Sequence, residues 1–186
     1  GPAEPLPLPL EGEAAQKAGF QTGGSRFHVA RLAMESDLIV SVPRVKAHAQ
    51  MLVTLSVKNC FGCVRGLHKA VAHAREGRDP QFFADCLAAL WAALPPVAAV
   101  ADGITAMHMT GPSNGKPFAL GLIGASASAV ALDEAIYAVL GLSPQDVPLG
   151  AALCRRKAWG SAVAGAQASY PCNTPADFCA AGFQLP

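Results

Sequence analysis

One stretch of this chain gathers cations and histidines and offers them no acid. Between Asp37 and Glu76 lie Arg44, Lys46, Lys58, Arg65, Lys69 and Arg75 together with His48, His68 and His73, and no carboxylate at all. The whole chain carries 14 Lys and Arg against 13 Asp and Glu, so this interval is a local excess in a nearly neutral protein. Cations held together without counter-charges repel one another unless water or an anion screens them. The chemistry such a set suits is the binding of phosphate or carboxylate groups. Lysines then act as point charges, and Arg44 or Arg65 can grip two oxygens at once. A solvated basic face, screened by acids from later in the chain such as Asp102 or Asp133, is the plain alternative.

Within the interval, Lys46 and His48 are two residues apart, which puts both on one side of an extended segment. His48 is then a candidate general base or metal ligand beside a lysine that holds an anion, or simply a hydrogen-bond partner for a neighbouring loop. Lys58 and Asn59 fall near the end of an expected helix, where ligand binding competes with satisfying free carbonyls. Lys69 and His73 are neighbours if their segment is helical. Asp102 follows the apolar run Val97 to Val100 and precedes Gly103, so it reads as a base, a metal ligand, a partner for Lys46, or a turn former. The loop from Gly111 to Pro117 contains Lys116 but lacks the order of a phosphate-binding P-loop; it either closes over a ligand or merely connects. Asp133, on a later helix, reads as a surface or capping residue. Cys60 and Cys63 form a lone CxxC, a weak signal for a divalent metal, a cluster edge or a redox pair. Cys172 and Cys179, with six residues between them, do not complete a standard ligand set. Reduced, mostly buried thiols are expected in a chain with this much core.

The elements that must position these residues follow from periodicity. Leu38 to Val42 is an apolar, β-branched run stopped by Pro43, as in a buried strand. Gln50 to Phe61 has no glycine or proline and reads as a helix. From Pro80 to Leu94, Phe82, Phe83, Cys86, Leu87, Leu90, Trp91 and Leu94 recur at helical steps until Pro95. Val97 to Val100 and Phe118 to Ile123 read as strands, and Ala127 to Leu140 as a helix ended by Gly141. Short helical pieces are expected at Cys154 to Lys157 and Ala162 to Ser169, and an irregular stretch from Tyr170 to Pro186. Alternating strands and helices imply an α/β fold, with a mostly parallel or mixed sheet flanked by helices and an irregular C-terminal segment. Residues 1–20 read as an extended arm, because proline alternates with apolar residues there, and 21–186 as a single domain. Pro43 to His48 and Asp102-Gly103 would then follow the carboxyl ends of strands, where ligands bind in open α/β sheets.

Composition bounds the function. With 52% apolar and 15% charged residues the chain is globular. A net charge of +1 argues against nucleic-acid or polybasic membrane binding. The longest apolar stretch, Cys86 to Ala101, is split by Pro95-Pro96, so no membrane span is expected. No charged segment followed by an apolar one marks a secretory signal, and a cytoplasmic place is expected.

Four ordered segments carry a resemblance. They are Asp37 to His48 (with Pro43-Arg44-Val45-Lys46-Ala47-His48), Leu55 to Gly66 followed by Lys69 and His73, Ala101 to Met107 with Gly111-Pro112 and Gly115-Lys116-Pro117, and Gly124 to Asp133 with Gly141. Over about residues 37–141 the chain resembles the DUF362 family, a domain of unknown function often found in iron–sulfur centre proteins. Three departures stand out: His108 where the family has glutamate, no aspartate at Ser126 to Ser128, and no further N-terminal stretch. The four-cysteine ferredoxin pattern is absent too. The expectation is a small anionic ligand in a basic cleft, with His48, Lys46 and Asp102 doing any catalysis and Arg44, Lys58, Asn59, Lys69, His73 and Lys116 holding the ligand. Two alternatives stand beside it: a metal or iron–sulfur protein using the CxxC of Cys60 and Cys63, and a domain that docks on a ferredoxin-like redox partner through its basic face.

Overall fold

The structure is a computed structural model that describes residues 5–9, 26–64, 74, 78–156 and 169–186. Strands β1 (Pro5–Pro9) and β2 (Arg26–Ala30) pair antiparallel, and a short helix α1 (Arg31–Met34) follows. The main sheet then forms from β3 (Ile39–Ser41), β4 (Arg44–His48) and β5 (Leu52–Thr54). A one-turn helix α2 (Ser56–Asn59) runs into a 3-10 turn at Cys60–Cys63. Beyond it come α3 (Pro80–Ala93), β6 (Val97–His108), β7 (Lys116–Ser126), α4 (Ala129–Val139) and α5 (Pro148–Arg155).

The long β6 is the spine. Along one edge it pairs in parallel first with β3 and then with β4; along the other it pairs antiparallel with β7. β5 folds back antiparallel on β4. The sheet is therefore mixed and flanked by helices, an α/β fold. Val97, Ala99 and Ala101 of β6 and Leu120 and Leu122 of β7 alternate into a core shared with Phe83, Leu87 and Leu90 of α3 and Ile136 and Tyr137 of α4. Both long helices start on a side-chain cap. Asp79 accepts from Gln81 and Phe82 N–H ahead of Pro80, and Ser128 accepts from Ala131 N–H. Arg155 of α5 bonds Asp85 of α3 at 2.6 Å.

Three local expectations are corrected. Gln50 to Phe61 is not one helix: a tight turn after β4 leads into β5, and only Ser56–Asn59 is α-helical. Absence of glycine and proline permits a helix without demanding one, and Leu52-Val53-Thr54 finds a sheet edge to join. Pro43 to His48 is not a loop beyond a strand, because β4 resumes the ladder right after Pro43. Asp102-Gly103 does not end its strand either, since β6 continues to His108. The C-terminal stretch from Tyr170 is irregular as expected, with one 3-10 turn at Pro175–Asp177. It docks on the β6–β7 hairpin: Met109 N–H donates to the Gln184 carbonyl at 2.7 Å. The rings of His108, Phe118 and Phe183 cluster there with centroids 5.2 to 5.8 Å apart. His108, which departs from the family pattern, is thus part of the seat of this tail. Residues 162–168 lie outside the described residues.

A buried carboxyl joins the pieces. Asp133 of α4 is fully buried, and its two oxygens accept from Ser56 N–H at 2.7 Å and Val57 N–H at 3.0 Å. These are N–H groups that a helix start leaves unpaired. Burial pushes the Asp133 carboxyl up to about 7 against the pull of the Val57 and Ser56 donors. The folded pKa lies above the ordinary 3.8, so between these values the folded state keeps a proton that the unfolded chain has released. The resulting stabilisation is full below about pH 4 and is lost as pH rises through about 7. Asp133→Asn is expected to destabilise the fold by about 1–3 kcal/mol at low pH, because its amide meets one of the two N–H donors. In urea melts, the gap between native protein and variant should narrow from pH 4.5 to 8; a gap that stays flat or widens contradicts this account of the carboxyl.

Candidate functional site

The alternation of β4 sends Val45 and Ala47 into the core and turns Arg44, Lys46 and His48 to the other side. These three line a cleft of about 260 Å³ together with Thr54, Leu55, Lys58, Asn59, Phe61, Gly62, Pro43 and Pro112. The sequence-predicted set is thus partly assembled: Arg44, Lys46, His48, Lys58 and Asn59 share one concavity. Among the described residues of its wall there is no carboxylate.

Each side chain is held differently. Arg44 Nε reaches Asp102 Oδ2 at 3.2 Å, but both side chains are largely open to water, 58% and 41% exposed. A pair so placed is worth at most about 1 kcal/mol, so an anion can compete for the guanidinium. Asp102, whose other oxygen accepts from Ile104 N–H at 3.1 Å, stands beside the cleft rather than in it. Lys46 is half-buried, and among the described residues no carboxylate pairs with it. His48 is buried, and its Nδ1 accepts from Gln50 N–H at 3.1 Å and Met51 N–H at 3.2 Å. With Nδ1 an acceptor, the neutral ring carries its proton on Nε2. The ring also pins the tight turn into β5, where Leu52 has a left-handed φ of 62°. Asn59 Nδ2 donates to Ser41 Oγ at 3.1 Å, and Ser41 Oγ donates to the Ser56 carbonyl at 2.9 Å. Ser41 is a positioning residue that sequence reasoning passed over, and Asp133, read from sequence as a surface or capping residue, is buried and caps α2. The signal for each was a polar residue in a run that is otherwise buried: Ser41 inside Leu38 to Val42, and Asp133 in step with Val130, Ile136 and Tyr137.

Other predicted residues are not gathered here. Lys116 is exposed and sits opposite His108 at the end of the β6–β7 hairpin. Lys69 and His73 lie outside the described residues, as do Arg65, His68 and Arg75. Cys60 is buried, and its thiol is pushed up to about 12 by burial and then by the nearby Cys63 and Asp133, which opposes a thiolate. Among the described residues no three His, Cys, Asp or Glu side chains converge as a metal site would require. Cys172 and Cys179 are exposed.

The loop after β6 supplies the last wall. A Cβ on Gly111 would overlap the Ala47 carbonyl oxygen, so only glycine lets this loop press against β4 and bring Pro112 to the cleft. The glycine-rich order at 111–117 therefore reflects close backbone packing.

With this geometry in place, comparison with known proteins is informative. The family model described as "Domain of unknown function (DUF362)" matches residues 9–138, most of the chain. The chain belongs to the DUF362 family. The match begins well before Asp37, the first residue of the quoted motifs. The thylakoid-associated protein sll1697 of the cyanobacterium Synechocystis is 34% identical to this DUF362 chain over 170 residues, covering 90% of the chain and 52% of that protein. The chain thus spans about half the length of this curated relative. No solved structure matches this member of the family. No helix among its described residues is long and apolar enough to cross a membrane.

Two outcomes are expected. Gly111→Ala must push the loop off β4, since backbone rather than a flexible side chain is in the way. It should cost about 1–3 kcal/mol in chemical denaturation and speed hydrogen exchange at Ala49 N–H, which donates to the Gly111 carbonyl at 3.4 Å. In iodoacetamide labelling near pH 8 followed by mass spectrometry, Cys172 and Cys179 should react well before Cys60; early modification of Cys60 in the folded protein would contradict its burial.

Proposed function

We propose that this DUF362 chain binds a small anion, through phosphate or carboxylate oxygens, in the cleft between β4 and α2. The observation that carries this reading is the wall itself: Arg44, Lys46 and Lys58 share one cavity of about 260 Å³, and among the described residues that line it there is no carboxylate. Lys46 and Lys58 act as point charges, and Arg44 exchanges its exposed partner Asp102 for the ligand. His48 contributes an Nε2 donor and the shape of the turn. In this reading its part is recognition, not proton abstraction. Asn59 is held by Ser41 and sets the position of Lys58. Lys69 and His73, from the same basic interval, are proposed as further contacts on the ligand, and Lys116 has no place in it.

Association of the Synechocystis relative with thylakoids supports placing this chain, as part of the same proposal, in an aqueous phase beside a membrane. That is narrower than the expectation from sequence of a cytoplasmic protein.

Isothermal titration with inorganic phosphate and with a dicarboxylate tests the reading. Native protein should bind at least one of them, with affinity that falls as sodium chloride rises. Removing one charge-assisted contact is worth about 1.5–3 kcal/mol, so Lys46→Ala and Lys58→Ala should each weaken binding about ten- to a hundredfold. Absence of heat with the native protein, or native affinity retained in both variants, rejects the proposal.

A further inference from the structure

The strand series that makes the cleft has another half. From Leu38 to His48 the even-numbered residues turn to the side opposite the buried Ser41, Val45 and Ala47. Leu38, Val40 and Val42 are 52%, 55% and 65% exposed, and Arg44, Lys46 and His48 continue the series into the cleft. The neighbouring strands extend the apolar half sideways. Val100 and Ile104 of β6 are 39% and 55% exposed, and Ile123 of β7, directly opposite Asp102, is 63% exposed. Ala98, Ala119, Gly121 and Ala125 fill the spaces between them on this face without standing out from it. The result is a flat, open, apolar sheet face.

Such a face is unusual where strands run parallel, as β6 does with β3 and β4, because parallel ladders are normally covered on both sides. We propose that this face is the seat of a second copy of the chain, packed sheet on sheet about a two-fold axis. Two features favour a copy over other occupants. Side chains exposed to this degree present on the order of 600 Å² of apolar surface, at the upper end of the largest patch on a typical monomer and most of the roughly 800 Å² that each partner of a standard interface buries. At the centre of the patch the charges are one cation and one anion, Arg44 and Asp102, adjacent in register. A two-fold axis sets Arg44 of one copy against Asp102 of the other, a self-complementary arrangement. An anionic lipid surface would instead be repelled by Asp102 at the middle of its contact.

Sedimentation over a concentration series tests this. The native chain should approach twice its 19.0 kDa mass, while Val40→Lys and Ile123→Lys, both at exposed positions and therefore compatible with folding, should remain monomers with native circular dichroism. Glu134→Lys, exposed on α4 and remote from the face, should dimerise like the native chain. Arg44→Asp and Asp102→Arg should each weaken self-association, and mixing the two should restore dimers. The pairing within one copy cannot explain that rescue. A native chain that stays monomeric throughout overturns the proposal, and so does a monomer that instead floats with phospholipid vesicles. Dimers that survive both lysine substitutions overturn it as well.

Discussion

The structure turns on the Asp133 carboxyl. It is placed by α4, yet it satisfies N–H groups of α2, a helix too short to hold itself together. Through those two bonds the second half of the chain fixes the direction in which Lys58 and Asn59 leave the backbone. Ser41 completes the joint by bonding both the Ser56 carbonyl and Asn59. The cost of burying an acid is met by removing two orphan donors from the same interior, so that neither group is left unsatisfied. Without that exchange α2 would have no reason to stop where the cleft needs it.

The cleft inherits its character from strand alternation more than from any loop. One side of β4 belongs to the core, through Val45 and Ala47, and the other collects Arg44, Lys46 and His48. Its position differs from the usual ligand site of α/β proteins, the crevice outside the carboxyl ends of parallel strands. Here the basic residues lie along a strand that continues its ladder, and the wall is completed by α2, the 3-10 turn and Pro112. The glycine at 111 matters because two backbones touch there. His48 serves structure and site together, since the nitrogen that pins the turn also dictates which nitrogen keeps the proton.

Much of this was legible in the sequence. The two long helices follow from unbroken helical spacing and end within a residue or two of where proline and glycine predict. The α/β class follows from alternation, and the basic interval from the absence of any acid between Asp37 and Glu76. The family follows from motifs in order, and the family model agrees. Less legible was the region from Gln50 to Phe61, where apolar residues without glycine or proline fit helix and strand alike. What decided it was a turn held by a histidine side chain and an open strand edge, neither of which is encoded in local periodicity. Asp102 was misplaced for a related reason: Asp-Gly commonly ends a strand, but the long β7 on one edge of β6 and the short β4 on the other carry the ladder past it.

By itself, then, the sequence determined which residues are cationic, which helices are stable and which face of each strand is apolar, because these depend on residue type and spacing alone. Only the tertiary structure decided which cations converge. Lys46 and Lys58 line one cleft because β5 turns back and α2 is capped from across the fold, whereas Lys116, equally suggestive as a residue, is left out of its wall. Convergence is a property of long-range pairing, and that pairing rests on buried contacts between segments more than seventy residues apart, which no local pattern records.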